Sequence, residues 1–289
     1  MLGFEIKKYI FNKVIIFVIL GFVLMKCLIS FLSLKIDVPY GINLYKGYME
    51  RWDGVLTETK AAQIEAENER LSTIMQVFNE KQEQYINGEI EFEEFNEYTE
   101  EYNLSHSQKQ AFEPVYAKYL YFTEADDRVE FFYDLEIIEF IELFRTDFAL
   151  VLLLCFVINI VYDLESRSDI SIIIRSLPEG RHKFQRNKII VALSFTLIIT
   201  LIFCGIDIAL YSYKYSFAEW GRTIHSIQAY SGFPVNTDIF SSVILIIAAK
   251  IVYSVIIAGV TILVSRITKR MFLSVFISVV LFALPMAIM

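Results

Sequence analysis

Three ionisable residues stand inside long apolar runs of this 289-residue chain: Lys26, Asp207 and Lys250. A charge at bilayer depth is costly and normally faces protein or water, where it pairs with an opposite charge or lines a path for a solute. Asp207 lies a little over one turn from the outer end of its run and Lys250 about three turns down the next. An upward-reaching lysine stem would bring them together, so the expected partner of Asp207 is Lys250 or Lys26, as a static clamp or as part of a substrate path. Conventional catalytic patterns are absent. The sequence has no G-x-x-x-x-G-K-[ST] phosphate loop, no H-E-x-x-H and no G-x-S-x-G. Its three histidines, His106, His182 and His225, fall on opposite sides of the expected topology and make no shared metal site. Asn87-Gly88 followed by Glu93-Glu94 has the outline of half a calcium loop, but Gln84, Tyr85, Ile86 and Asn87 before the glycine do not supply the full pattern of oxygen ligands needed at positions 1, 3 and 5.

A second set of residues with a physical task lies in the segment 163–188, DLESRSDISIIIRSLPEGRHKFQRNK. Asp169 near the start of its apolar run and Arg175 near the end complement a helix dipole. Ile170, Ile172, Ile173, Ile174 and Leu177 give a short apolar surface, which Pro178-Glu179-Gly180 terminates. Such a helix suits docking of a soluble partner or lying on lipid headgroups.

The elements that must hold these residues follow from hydropathy. Hydrophobic residues make up 55% of the chain, yet the net charge is -8. The two are reconciled by segregation into apolar spans and an acidic domain. A bilayer core about 30 Å thick needs about 20 apolar residues in a helix, and backbone groups in lipid must be satisfied within the segment. The expected fold is therefore all-α, a polytopic bundle of five spans: 14–34, 143–162, 189–211, 239–264 and 271–289. Basic residues cluster at 1–13, 163–188 and 265–270, which puts those segments in the cytoplasm. The N-terminus is then inside, and 35–142 and 212–238 are outside. Segment 1–13 is expected to form a short interfacial helix with its lysines on lipid headgroups. The first span is too long for a cleaved signal and lacks a small-residue cleavage pattern, so it is read as a retained anchor. Cys27, Cys155 and Cys204 all fall within spans, leaving the outer domain without a disulfide framework. The acidic region 35–142 accounts for the negative charge, which argues against nucleic acid as a partner. It reads as helices over 50–85, 92–102 and 107–122, the last interrupted near Pro114, with an amphipathic helix over 134–145.

Ser176-Leu177-Pro178, Arg181 three residues after the proline and Lys188 at the opening of a span resemble the cytoplasmic loop of ABC-2-type transporter permeases. Asp163 and Glu165 match the acids that follow the second span in that family. Phe4-Glu5-Ile6-Lys7-Lys8 and a large insertion between the first two spans are also similar to its layout. Ser168-Asp169 stands where the family often has Gly-Thr, and five spans stand against its usual six, as in a shortened chain or a split subunit. The resemblance implies a multi-pass cell-membrane subunit of an exporter, non-catalytic itself and without a cofactor of its own. A separate ATPase that binds ATP and magnesium would dock on Asp163, Glu165, Ile173, Arg175, Pro178, Arg181 and Lys188. It also implies a homodimer or a related permease as partner within the membrane lipid, and leaves the substrate unread. The competing expectation is a membrane-anchored receptor or scaffold that senses a ligand through the outer helical domain.

Overall fold

The computed structural model describes residues 12–36, 38–125, 128–145, 147–163, 180–268 and 270–288. Among the described residues the protein is all-α apart from one two-residue antiparallel pair, and four helical segments are long and apolar enough to cross a membrane: Lys13–Ser33, Leu135–Tyr162, Gln185–Lys214 and Ile239–Thr268. A fifth helix ends the chain, with a shorter apolar stretch, Met271–Phe282, among the described residues. Of the described residues, those within Met1–Lys35, Glu139–Ser216 and Val243–Met289 form one compact unit, and those within Ile36–Ile138 and Phe217–Ser242 form a second.

The first unit is a helix bundle. Its α1 (Lys13–Ser33) starts where the Asn12 carboxamide oxygen accepts the amides of Val14 at 2.9 Å and Ile15 at 3.4 Å, the ordinary remedy for unpaired N–H groups at a helix start. Two helices in the middle of the chain, α5 (Leu135–Arg145) and α6 (Phe148–Asp163), together make the apolar run Leu135–Tyr162. They are followed by α7 (Gly180–Lys214), α8 (Ile239–Thr268) and α9 (Met271–Ile288). Helix α6 is the axis of the unit and packs against α1, α7 and α9. That position explains its sequence, FALVLLLCFVINIVYD, which is apolar on every face, as a helix surrounded by other helices must be. By contrast α1 shows only a narrow inward stripe, Ile15, Lys26 and Ser30, and leaves Phe17, Leu24 and Leu28 exposed. A stripe of that kind is expected of a helix with lipid on its remaining faces.

The second unit has its own aromatic core. Trp52, Phe112 and Phe131 are almost wholly buried, and Tyr48 stacks on Trp52 with ring centroids 5.5 Å apart. The Trp52 indole N–H donates to Gln63 at 3.2 Å, so the large ring is buried without an orphan donor. Its elements are α2 (Ile42–Arg51), β1 (Gly54–Val55), α3 (Glu58–Ile86), α4 (Phe92–Glu124) and β2 (Glu130–Phe131), which pairs with β1. Helices α3 and α4 form a long antiparallel hairpin turned at Gly88, whose φ of 75° lies in the left-handed region.

Two expectations are corrected here. The helix expected over 50–85 is divided, because Gly54 at φ 93° turns the chain out of α2 and into β1 before Thr57 caps α3. The break expected near Pro114 does not occur: α4 runs unbroken from Phe92 to Glu124. A mid-helix proline costs about 3 kcal/mol. Here Ala111, Phe112, Val115, Tyr119 and Phe122 on both sides of it are buried in one core, and each large side chain contributes about 1.5–3 kcal/mol.

Candidate functional site

Each of the four span-length segments contributes one charged residue to a single buried cluster. Lys26 comes from α1, Asp147 from the residue just before α6, Asp207 from α7 and Lys250 from α8. Lys26 Nζ lies 2.9 Å from Asp207 Oδ2 and 3.3 Å from Asp147 Oδ2, while Lys250 Nζ donates to Asp147 Oδ2 at 2.6 Å. The contact between Lys26 and Asp207 Oδ2 is close but not aligned as a hydrogen bond, so its attraction is mainly that of charge. Ser30, one turn beyond Lys26 on the same face, donates its hydroxyl to Asp207 Oδ1 at 2.9 Å. Lys26 and Asp207 are at most 2% exposed.

The order along the cluster is Asp207, Lys26, Asp147, Lys250, with signs alternating and a net charge of zero. Burial of an isolated ion is prohibitive, and burial of pairs is tolerated only where each charge meets its opposite and the remaining polar atoms are satisfied. Asp147 also sits at the amino end of α6, where the helix dipole favours a carboxylate. The Phe144 ring lies 4.9 Å from Lys250 Nζ and the Phe203 ring 6.0 Å from Lys26 Nζ, and both add weak cation–π attraction. No nucleophile with an adjacent base is formed here, and no group of His, Cys, Asp and Glu suited to a metal ion occurs among the described residues. The cluster can hold helices together, exchange partners, or meet a polar group brought to it.

Of the three charges singled out from sequence, Lys26 and Asp207 are paired as expected. Lys250 pairs with Asp147 instead of Asp207. Asp147 and Ser30 are the members that sequence reasoning missed. A signal was present: Asp147 falls within the run 143–162, and an acid in an apolar run needs a partner as much as a lysine does.

A second arrangement holds the other ends of α6, α7 and α8. Lys188, buried on α7, points its ammonium at the Tyr162 carbonyl 3.4 Å away and sits 5.5 Å from the Tyr162 ring. Arg266 of α8 donates to the Tyr162 hydroxyl at 3.2 Å. A cation on the last carbonyls of a helix satisfies an unpaired acceptor and complements the dipole. Asp163 is the last residue of α6 and Arg181 lies in the first turn of α7; their side chains, and Glu165, Ile173, Arg175 and Pro178 as whole residues, lie outside the described residues.

Polar groups in the second unit are structural in character. Asp134 accepts from Tyr45 at 2.9 Å and from Lys118 at 2.6 Å, all three buried. Desolvation, reinforced by the Asp134 charge, pushes the Tyr45 phenol above the ordinary tyrosine range. Tyr48 is pushed up to about 12, by burial first and then by its hydrogen bond to Glu67. The Arg70 guanidinium grips Glu67 through two hydrogen bonds and holds that carboxyl below its usual range. Arg222 binds Asp53, Glu130 and Glu219 together, joining 217–242 to the two-stranded pair within this unit.

Comparison of the chain with models of protein families, with curated proteins and with solved structures found no match.

Proposed function

We propose that the chain is the membrane subunit of an exporter driven by a separate ATPase, as its resemblance to ABC-2-type permeases implies. The observation that carries the reading is the spacing of Pro178, Arg181 and Lys188 in the segment that joins α6 to α7. The basic segments 1–13, 163–188 and 265–270 then face the cytoplasm, and 35–142 and 212–238 face outward. The partner ATPase binds ATP and magnesium and docks on 163–188, and two copies of this chain, or this chain and a related one, line the path.

The packing supplies a route for the motion. Force applied to the segment 163–188 enters α6 and α7 at once, because Lys188 ties the start of α7 to the end of α6. Helix α6 touches most of the bundle, and Asp147 stands at its far end. There the ionic chain has one natural dividing point. Parting Lys26 from Asp147, the longest contact at 3.3 Å, leaves two neutral pairs, Lys26 with Asp207 and Lys250 with Asp147. No charge is stranded in lipid, so the helices can rock between two states at modest cost.

Affinity purification from membranes tests the reading. An ATPase should accompany the wild-type chain and be released by Ile173→Asp or Arg181→Glu while the protein stays folded in the membrane. An ATPase retained by both variants, or none bound to the wild type, defeats it. A kinase in place of an ATPase would favour a receptor.

A further inference from the structure

A cavity of about 230 Å³ lies between α6 and α8, lined by Phe144, Asp147, Leu150, Val151, Lys250 and Ser254 among others. It is smaller than the roughly 300–1,000 Å³ of pockets that enclose a whole small molecule, so it fits a segment of a ligand. Its walls are apolar except at one end, where the Asp147–Lys250 pair stands, with Ser254 one turn along α8 from Lys250. Ser254 is 1% exposed and its hydroxyl has no partner among the described residues. It shares this state with the buried Ser274 and Ser278 of α9 and differs from four other hydroxyls of the bundle. Ser194, Thr196, Thr200 and Thr268 each donate to the carbonyl four residues back, at 2.8–2.9 Å.

We infer that this cavity binds an acyl-ester lipid. The ester carbonyl takes hydrogen bonds from Ser254 Oγ and from the Lys250 ammonium, which has N–H groups beyond the one given to Asp147, and the acyl chain lies along Leu150, Val151 and Ile257. Two observations favour this occupant. The lining ions cancel, so a ligand group of no net charge disturbs them least. Beside the Asp147 carboxylate, which Lys250 already engages, the cavity offers two donors, the Ser254 hydroxyl and the Lys250 ammonium, which an ester oxygen complements and a bare hydrocarbon does not. The inference rests on membrane placement alone and stands whether or not an ATPase drives the chain.

The test uses the full chain in nanodiscs of dioleoylphosphatidylglycerol doped with a phosphatidylglycerol that bears a diazirine near the ester end of one acyl chain. After illumination, adducts are mapped by mass spectrometry. Adducts at Leu150, Val151 and Ile257 should exceed those at the exposed Val252 and Leu201 by fivefold or more. Ser254→Leu, which fills the cavity, should cut the former at least fivefold and leave the latter unchanged. An ether-linked lipid, lacking the carbonyl, should compete at least tenfold more weakly than its ester counterpart. Labelling in proportion to exposure would mean bulk lipid only, equal competition by the ether lipid would mean the carbonyl is not recognised, and chain-to-chain cross-links at these residues would mean a second copy covers the cavity. Each of these overturns the inference. If Ser254→Leu fails to fold, the wild-type map and the ether competition still decide it.

Discussion

Asp147 accepts contacts from two lysines and is itself just outside a helix, so the charge balance of the bundle depends on a residue that hydropathy alone treats as a boundary. Removing one member of such a cluster strands the opposite charge, at a cost of about 3–5 kcal/mol. Asp207→Asn and Lys26→Met are each expected to lower the thermal unfolding midpoint of the purified protein sharply. The double variant should be destabilised by less than the sum of the two, since it removes a neutral pair; strict additivity would show that the two do not interact. In the second unit the tyrosines set a limit at high pH. The pKa of Tyr48 is about 12 when folded, against 10.0 for the free side chain, and that of Tyr45 is also raised. The folded state therefore holds these protons longer than the unfolded one. Their contribution is fully present below pH 10 and is lost as pH rises from 10 towards 12 and beyond. Phenolate absorbance should show late-titrating tyrosines and loss of helical ellipticity in that window, and Tyr48→Phe should reduce the pH sensitivity.

Among the elements, the α3–α4 hairpin joins two long glutamate-rich helices, and its turn depends on one backbone conformation. A methyl group at Gly88 would meet nothing within 4 Å, so only the positive φ opposes it. Gly88→Ala should cost about 1–2 kcal/mol, read as a shift in the denaturant midpoint, while Gly88→Asn should cost less because Asn adopts this region more readily. An equal cost for both would point to contacts and not to backbone strain. The cap of α8 behaves differently. Asp238 accepts the amide and the hydroxyl of Ser241 at 3.1 and 2.7 Å, and these hydrogen bonds lower its pKa. Asp238→Ala should cost about 1 kcal/mol, and wild-type stability should lose part of that contribution as pH falls from the ordinary aspartate range through the lowered folded value.

At the scale of the whole molecule there are two cores, one aliphatic around α6 and one aromatic around Trp52. Each buries its own ring or branched side chains, so each is expected to unfold on its own account. Phe112→Ala should cost the second unit about 3–5 kcal/mol, and hydrogen exchange should then rise across 42–124 while amides of α6 remain protected. Exchange rising equally in both would show a single cooperative unit. Among the described residues the bundle is held by apolar packing and by an ionic cluster drawn from four segments, and under the proposed function its division into two neutral pairs would let the helices move without stranding a charge in lipid.

The amino-acid sequence by itself determined the class of the molecule, because 20-residue apolar runs leave the backbone no choice but helix, and because Asn87-Gly88 punctuates the chain locally. It also marked Lys26, Asp207 and Lys250, since a charge in an apolar run stands out without any knowledge of neighbours. It could not tell which lysine meets which aspartate. Residues 26, 147, 207 and 250 are far apart in the chain, and their meeting depends on how α6 is rotated against α1, α7 and α8. The same holds for Pro114, where local propensity argued for a break and the shared burial of Phe112 and Phe122 overrode it. Local chemistry is written in consecutive residues, whereas partner choice and the unpaired hydroxyl of Ser254 arise from packing, which only the tertiary structure decided.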